Sequence, residues 1–443
     1  MSPICSHRLR PPAGAVAAAL LALLAREAAA AQPRAREISY SYDMFEHSVP
    51  RPIARQLDPA RWARWIARSP KEALNVDERD QVRLPSTWWQ PRLGYLPVTA
   101  ERMRLGPGPG TGPSPGRWTV TKGKSQGVTP GFFIKDETGA SFLLKFDPPD
   151  FPEMASASDV IASHLFWAAG FNVPDNTIVY LRPEKLDVAP RALYADEQGG
   201  KRPLTAARLR EMLGKVGARS DGTYRAVASR LLKGGPLGPF LYTGTRRDDP
   251  EDLVPHEHRR ELRGLWTLDA WLNHADSRSA NSLDMWVSDS GRAFVRHYLV
   301  DLGSCLGSAS TTARSYVTGT EYYVDFGVAS RAVVSLGLAP FSWEHGVDPH
   351  LPAIGFIEAS TFDPVGWRPD YPNPAFDERT ARDIRWGARI VGAFSDDMIR
   401  AAVALGDFAD PRASEYLTGV LIQRRDRITR HWLSAPVAGT GHP

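Results

Sequence analysis

Between Asn273 and Gly303 the chain reads Asn-His-Ala-Asp-Ser-Arg-Ser-Ala-Asn, two β-type runs turned at Asp289-Ser290-Gly291, and then Asp301-Leu302-Gly303. No other stretch of the 443 residues restricts the fold as tightly. A hairpin returns the chain to where it began. Asn281, just before it, and Asp301, just after it, are therefore predicted to share one end of the structure. Asp276 precedes Asn281 on the same loop and is predicted beside them. Gly303 allows a sharp turn once the Asp301 carboxylate has been aimed.

Upstream of this block the pattern is β-rich. Trp118 to Gly123, Phe132 to Asp136 and Ser141 to Phe146 are short β-type runs, the last two joined by the turn signal Glu137-Thr138-Gly139. Residues 153–169 carry Val160, Ile161, Leu165 and Ala168 at helical spacing, stop at Gly170, and give way to a strand at Thr177 to Leu181. Downstream the pattern is mostly helical. Two short helices are predicted within 203–232, one at Glu257 to Asn273, and others near 377–394, 396–405 and 413–433. Ser395 and Pro411 suit a cap and a first-turn position. The fold class expected is α+β and bilobal: a small β-rich N-lobe with one helix, then a larger, mainly helical C-lobe carrying a hairpin. With 42% hydrophobic residues there is ample material for such cores.

The run Gly106 to Gly116 alternates glycine and proline and reads as a linker or surface loop. The expected organisation is a signal peptide at 1–31, an N-terminal extension at 32–104 and a linker at 105–116. The N-lobe follows at 117–185, the C-lobe at 186–436 and a flexible tail at 437–443. The extension includes Pro59 to Ser69, where Trp62 and Trp65 stand at helical spacing.

Arg8 and Arg10, the apolar run Ala13 to Ala25 and the small residues Ala28 to Ala31 have the order of a secretory signal, with cleavage near Ala31. The apolar run is short for a bilayer span, so no stable transmembrane anchor is expected. The protein is expected to be exported, to the periplasm, the cell envelope or the medium. Cleavage removes Cys5 and leaves Cys305 alone, so no internal disulfide is possible. The net charge of +4 is not gathered into a basic tail, which gives nucleic-acid binding no electrostatic case.

The chemistry that suits Asp276, Asn281 and Asp301 is phosphoryl transfer. It needs a carboxylate that orients the acceptor hydroxyl and oxygen ligands that hold Mg²⁺ against the phosphates. Asp276 fits the first role, Asn281 and Asp301 the second. Lys145, in Phe142-Leu-Leu-Lys-Phe146, is placed to meet the nucleotide phosphates. A carboxylate from the following helix would hold its ammonium; Asp159 is preferred to Glu153, although it is shorter than a Glu. Thr121 to Gly127 offers Lys122, Lys124 and Ser125 among glycines as a phosphate cover, without the spacing of a Walker A loop.

These residues, with the helix ending in Gly170-Phe-Asn-Val-Pro174, resemble the atypical branch of the protein-kinase-like fold, in the style of HipA-like kinases and phosphatidylinositol 3/4-kinases. The resemblance covers roughly residues 117–310 and implies ATP and Mg²⁺ bound between two lobes. Ala275 stands where His-Arg-Asp would have its Arg, and no Ala-Pro-Glu segment is evident. Both departures weigh against an ordinary peptide groove. Asp325-Phe-Gly327 spells a familiar kinase tripeptide, but it lies well beyond the hairpin, so Asp301 is preferred.

The partners expected are a nucleotide and an unidentified phosphoryl acceptor, whether protein, lipid head group, sugar or other small molecule. A catalytically inactive kinase-fold scaffold is the alternative, since nucleotide triphosphate is scarce outside the cytoplasm. A metal-dependent hydrolase built from His256, His258, His274, Asp276, His297 and Asp301 is the third reading. The charged stretch Glu257 to Arg263 reads as a solvated helical face, with support of the catalytic loop by Arg260 or Arg263 as the sharper option.

Overall fold

The computed structural model describes residues 32–59, 62–63, 71–124, 131–196, 199–336, 338 and 342–434. The expected signal peptide, the tail at 437–443, Ser125 and most of Pro59 to Ser69 lie outside the described residues.

The β-rich part begins with β1 (Trp118–Gly123), β2 (Gly131–Lys135) and β3 (Ser141–Phe146), each antiparallel to the next. Asp136 makes the second turn tight: its Oδ1 accepts from the Thr138 and Ala140 amides, and Gly139 takes a positive φ of 87°. Phe142, Leu144 and Phe146 alternate into the core, which leaves Lys145 on the opposite face. A single buried helix, α1 (Met154–Ala168), follows β3 directly and leads into β4 (Asn176–Leu181). Its end is fixed by Gly170, whose φ of 109° and closeness to the Trp89 indole leave no room for a Cβ.

The sheet does not stop at residue 185, where the N-lobe was expected to end. Strands β5 (Leu186–Ala195), β6 (Lys201–Pro203) and β7 (Tyr224–Arg230) complete a seven-stranded sheet of order β4-β7-β3-β2-β1-β5-β6. Only one α-helix, α2 (Ala206–Leu213), forms where two were predicted; the second stretch is β7. Tyr-Arg-Ala-Val-Ala-Ser-Arg lies between β3 and β4 with its middle buried on both faces, so it shows no alternation to read.

The helical part is built around α3 (Arg260–Leu272), buried along its whole length. Against it pack α4 (Ala381–Gly392) and α5 (Pro411–Leu433), with α6 (Asp396–Ala404) between them in sequence. Ser395 caps α6 and Pro411 opens α5, as predicted. The hairpin β8 (Ser282–Asp289) and β9 (Arg292–Leu299) pairs in register from Leu299–Ser282 to Arg292–Asp289. One apolar core lies under the sheet and a second, larger one gathers α1, α3, α4 and α5. The fold class is the one expected: α+β, with a large sheet and a mainly helical C-terminal part.

Two readings of composition change. The Gly/Pro run, expected as a linker or surface loop, lies packed against its neighbours: a Cβ on Gly106 would strike His164, and one on Gly108 would strike Asp175. The charged stretch at the start of α3 is not solvated. Arg260 Nε lies 2.7 Å from Asp383 on α4, Arg263 NH1 lies 3.5 Å from the same carboxylate, and Glu261 binds Asn75. Neither arginine reaches the loop at 273–281 by any of these contacts. Residues 71–93 of the extension are likewise part of the helical core, through Trp88, Trp89 and Leu93. Among the described residues no helix is long and apolar enough to cross a membrane, and Cys305 is buried and unpaired.

Candidate active site

The α1 helix and the turn after the hairpin are tied together before any charged group is considered. Ser158 Oγ on α1 lies 3.1 Å from the Leu302 carbonyl and 2.8 Å from that of Cys305. Gly303 passes so near that a Cβ there would sit 3.3 Å from the Ala155 carbonyl. Asp301 opens this turn in the left-handed region, at φ 58° and ψ 46°, which swings its carboxylate toward β3.

Lys145 meets it there. Its Nζ lies 3.0 Å from Asp301 Oδ1 and also forms an ion pair with Asp159 Oδ2 on α1. Asp159 is held on its other side by Asn176 Nδ2, which donates to Oδ1 at 2.9 Å. Burial works against the Lys145 charge, but the two carboxylates outweigh it and raise the ammonium's pKa. The Lys145 charge in turn holds Asp301 down at about 2. Burial pushes the Asp159 carboxyl up, with Lys145 acting against it. Asp301 is 47% exposed, so the field of Lys145 on it is shared with solvent.

The hairpin carries this cluster to the loop. Val300 N–H donates to the Asn281 carbonyl at 3.0 Å, which sets Asp301 beside Asn281. Asn281 Nδ2 donates to Asp276 twice, to the backbone oxygen at 2.7 Å and to Oδ2 at 2.9 Å. Arg278 Nε donates to the other oxygen, Oδ1, at 2.6 Å. Asp159, Lys145 and Asp301 thus form one cluster of direct contacts and Asn281 with Asp276 a second, and the backbone bond at Val300 sets the two side by side. Glu153 is not part of it: its Oε2 accepts from the Ala409 amide at 2.9 Å. Lys122 lies over the Phe133 ring at 4.2 Å. Lys124 lies within the field of Asp301 and Lys145, and burial lowers its pKa.

The tripeptide at 325–327 is a helix cap. Asp325 Oδ1 accepts from the Gly327 and Val328 amides, and its other oxygen pairs with Arg368. The histidines do not form a ligand set either: His256 and His297 lie edge to face at 6.3 Å, but each histidine is paired separately. His256 pairs with Asp252 at 2.6 Å, His297 with Asp284 at 2.6 Å, His274 with Asp269 at 3.3 Å, and His258 accepts from Arg263 at 2.7 Å. No cluster of three or more His, Cys, Asp and Glu side chains able to hold a metal ion occurs among the described residues.

Sequence reasoning missed three supports of this site. Asp43, far upstream, binds Arg278 NH1 at 2.7 Å. Arg314, paired with Asp370, lies beside the loop, where the Asp370 amide donates to the Ala275 carbonyl at 2.8 Å. Arg424 on α5 reaches the carbonyls of Ala270 and Trp271 and so caps the C-terminal end of α3 just before the loop starts. Each partner is remote in sequence, and no local pattern announces it. Enclosed space beside Lys145 is small, ≈ 10 Å³. Wider hollows lie at Tyr316, Trp343 and Arg368, ≈ 420 Å³, and at Trp88, Leu253 and Phe294, ≈ 660 Å³.

No family model matches the chain, and no curated protein matches it. Solved structures with a similar course include the Helicobacter pylori proinflammatory kinase CtkA, at 11% identity and a TM-score of 0.39 over 73% of this chain and 98% of that one. The Golgi casein kinase is another, at 8% identity and 0.33 over 88% and 90%. The same kinase with Mn and ADP bound gives 7% identity and 0.31 over 90% and 92%. Likeness at this level carries no argument about function; the contacts around Lys145 and Asp276 do.

Proposed function

We propose that this chain is a phosphotransferase of the atypical protein-kinase-like fold, taking ATP with Mg²⁺ and passing the γ-phosphoryl group to a hydroxyl acceptor. One observation carries the reading: a partly buried lysine on the third strand is held by an acid on the next helix and by the acid of an Asp-x-Gly turn, itself beside an Asp-x₄-Asn loop. Phosphoryl transfer depends mainly on positioning and charge, and this arrangement supplies both.

The donor set fits Mg²⁺. Asn281 commits its Nδ2 to Asp276, which leaves its carbonyl oxygen as a ligand, and Asp301 offers a half-exposed carboxylate that stays ionised. Mg²⁺ takes few protein oxygens and completes its shell with phosphate and water. When bound, it neutralises charge on the phosphates. Lys145 would bind phosphate oxygens while Asp159 keeps its ammonium in place. Asp276 has each oxygen fixed by one donor, so its remaining lone pairs point in a set direction. There it would accept the proton of the acceptor hydroxyl as the new O–P bond forms and the bond to ADP breaks.

The order of residues 8–31 supports export, and Gly170 to Pro174 supports the HipA-like style of the N-lobe. The inactive scaffold is favoured by one contact: Lys145 pairs with Asp301, the carboxylate that would face the metal. Incubation with γ-labelled ATP, Mg²⁺ and pooled protein, lipid and sugar acceptors separates the two. Transfer that Asp276→Ala abolishes, with nucleotide binding retained, supports the kinase. Binding without transfer in the wild type supports the scaffold.

A further inference from the structure

The N-terminal extension has no role in the reading above, yet it touches the catalytic loop through charge. Helix α0, our label for Tyr40–Ser48, lies before all the elements already named and starts at Ser39, whose Oγ accepts from the Tyr42 amide at 3.5 Å. Its amphipathy is inverted. Asp43 and His47 face inward and are 2% exposed, whereas Tyr42 and Phe45 are 62% and 57% exposed. A helix seated by apolar burial would show the reverse. Here the inward contacts are an ion pair and a ring edge: Asp43 Oδ2 accepts from Arg278 NH1 at 2.7 Å, and His47 lies edge-on to Tyr371 at 6.0 Å.

Arg278 is 1% exposed and sits between two carboxylates, giving NH1 to Asp43 and Nε to Asp276. The guanidinium fork is rigid and planar, so fixing one edge fixes the direction of the other. Arg278 Nε on Oδ1 and Asn281 Nδ2 on Oδ2 define the plane of the Asp276 carboxylate. Resting on the proposed phosphotransferase, we propose that Asp43 and Arg278 are positioning residues: the N-terminal helix holds Arg278, and Arg278 holds Asp276 in the attitude needed to orient the acceptor hydroxyl. The catalytic loop is then incomplete without a segment from outside both lobes. Control of turnover follows, because whatever displaces the helix releases Arg278.

With Asp43 absent, Arg278 keeps its contact with Asp276 but loses the one on NH1 that sets its angle. The carboxylate then follows the guanidinium. Misplacement of about an ångström at a reacting group costs up to about a hundredfold in rate. Nucleotide binding, carried by Lys145, Asn281 and Asp301, is untouched.

The test uses the full chain as wild type, Asp43→Asn, Asp43→Glu and Arg278→Lys. Mg·ATP binding is read by calorimetry, folding by thermal unfolding, and turnover by release of labelled phosphate from ATP. Asp43→Asn is expected to bind Mg·ATP within twofold of wild type, with kcat lowered roughly ten- to a hundredfold and KM for ATP unchanged. Asp43→Glu recovers part of kcat. Arg278→Lys stays folded, since a cation remains between the carboxylates, yet shows the same loss of kcat because an ammonium cannot copy the fork. A folded Asp43→Asn or Arg278→Lys protein with wild-type kcat overturns the proposal and leaves the phosphotransferase standing. A wild type that binds no Mg·ATP removes both.

Discussion

Replacing Lys145 by Met tests whether the central ion cluster has the energetics its geometry demands. Met nearly matches the lysine stem in volume, so little packing is lost, but the cation between Asp159 and Asp301 disappears. Lys145 is 12% exposed and Asp159 only 2%, so this is removal of one partner from a buried pair, which costs about 3–5 kcal/mol. Asp159 limits that cost by taking a proton. Burial already pushes its carboxyl up, and without Lys145 the opposition left includes Lys124 and the hydrogen bond from Asn176. A carboxyl whose folded-state pKa is raised binds its proton more tightly folded than unfolded. Its support is therefore present at low pH and is lost as the pH rises through the folded-state value. Each pH unit above the ordinary carboxylate value costs about 1.4 kcal/mol until the charged form takes over. The loss from Lys145→Met is accordingly smaller at pH 5 than at pH 8, where it approaches the loss of about 3 kcal/mol expected for a broken buried pair. Urea unfolding of wild type and variant at both pH values measures the difference. Asp159→Asn added to Lys145→Met should erase most of the pH dependence. A single-variant loss that is equal at the two pH values refutes the buried-pair reasoning. So does a variant that gains stability at pH 8.

Other consequences are simpler to read. Asp325→Ala removes a helix cap and should cost about 1 kcal/mol in unfolding assays while leaving turnover unchanged, whereas Asp301→Ala should abolish turnover. Gly170→Ala places a Cβ 2.1 Å from Trp89 Nε1 at a positive φ, and about 3 kcal/mol of stability should be lost by urea titration. Lys145 holds the Asp301 carboxyl at about 2, so the stability it lends is present above the unfolded-state value and lost as pH falls toward 2. Asp301→Asn should flatten that acid loss slightly, by less than about 1 kcal/mol because solvent screens the pair, as acid titration of unfolding would show.

What the sequence disclosed was local, and what it hid was remote. The three strands through Phe146, the helix ending at Gly170 and the hairpin after Asn281 are set by short-range pattern and turn chemistry, and each falls where expected. Asn281 lying beside Asp301 follows from hairpin closure, which is geometry within a short stretch of chain. By contrast, Glu257 to Arg263 reads as solvated because its neutralising partners, Asp383, Asp80 and Asn75, come from other elements. The strand at Tyr224 to Arg230 is central, and its small residues are buried on both sides, so neither period appears. Asp43 carries no signal at all, since an acid in a short helix gains meaning only from Arg278, which folding brings to it.

Calorimetric titration of the wild type with ATP, with and without Mg²⁺ and repeated on Asp301→Asn, tests the central claim most directly. Saturable binding is predicted with Mg²⁺, giving about 2.7 kcal/mol of stabilisation at a hundredfold excess over Kd, and Asp301→Asn should weaken it at least tenfold. Absence of binding in the presence of Mg²⁺ would contradict the account, and so would binding that Asp301→Asn leaves unchanged.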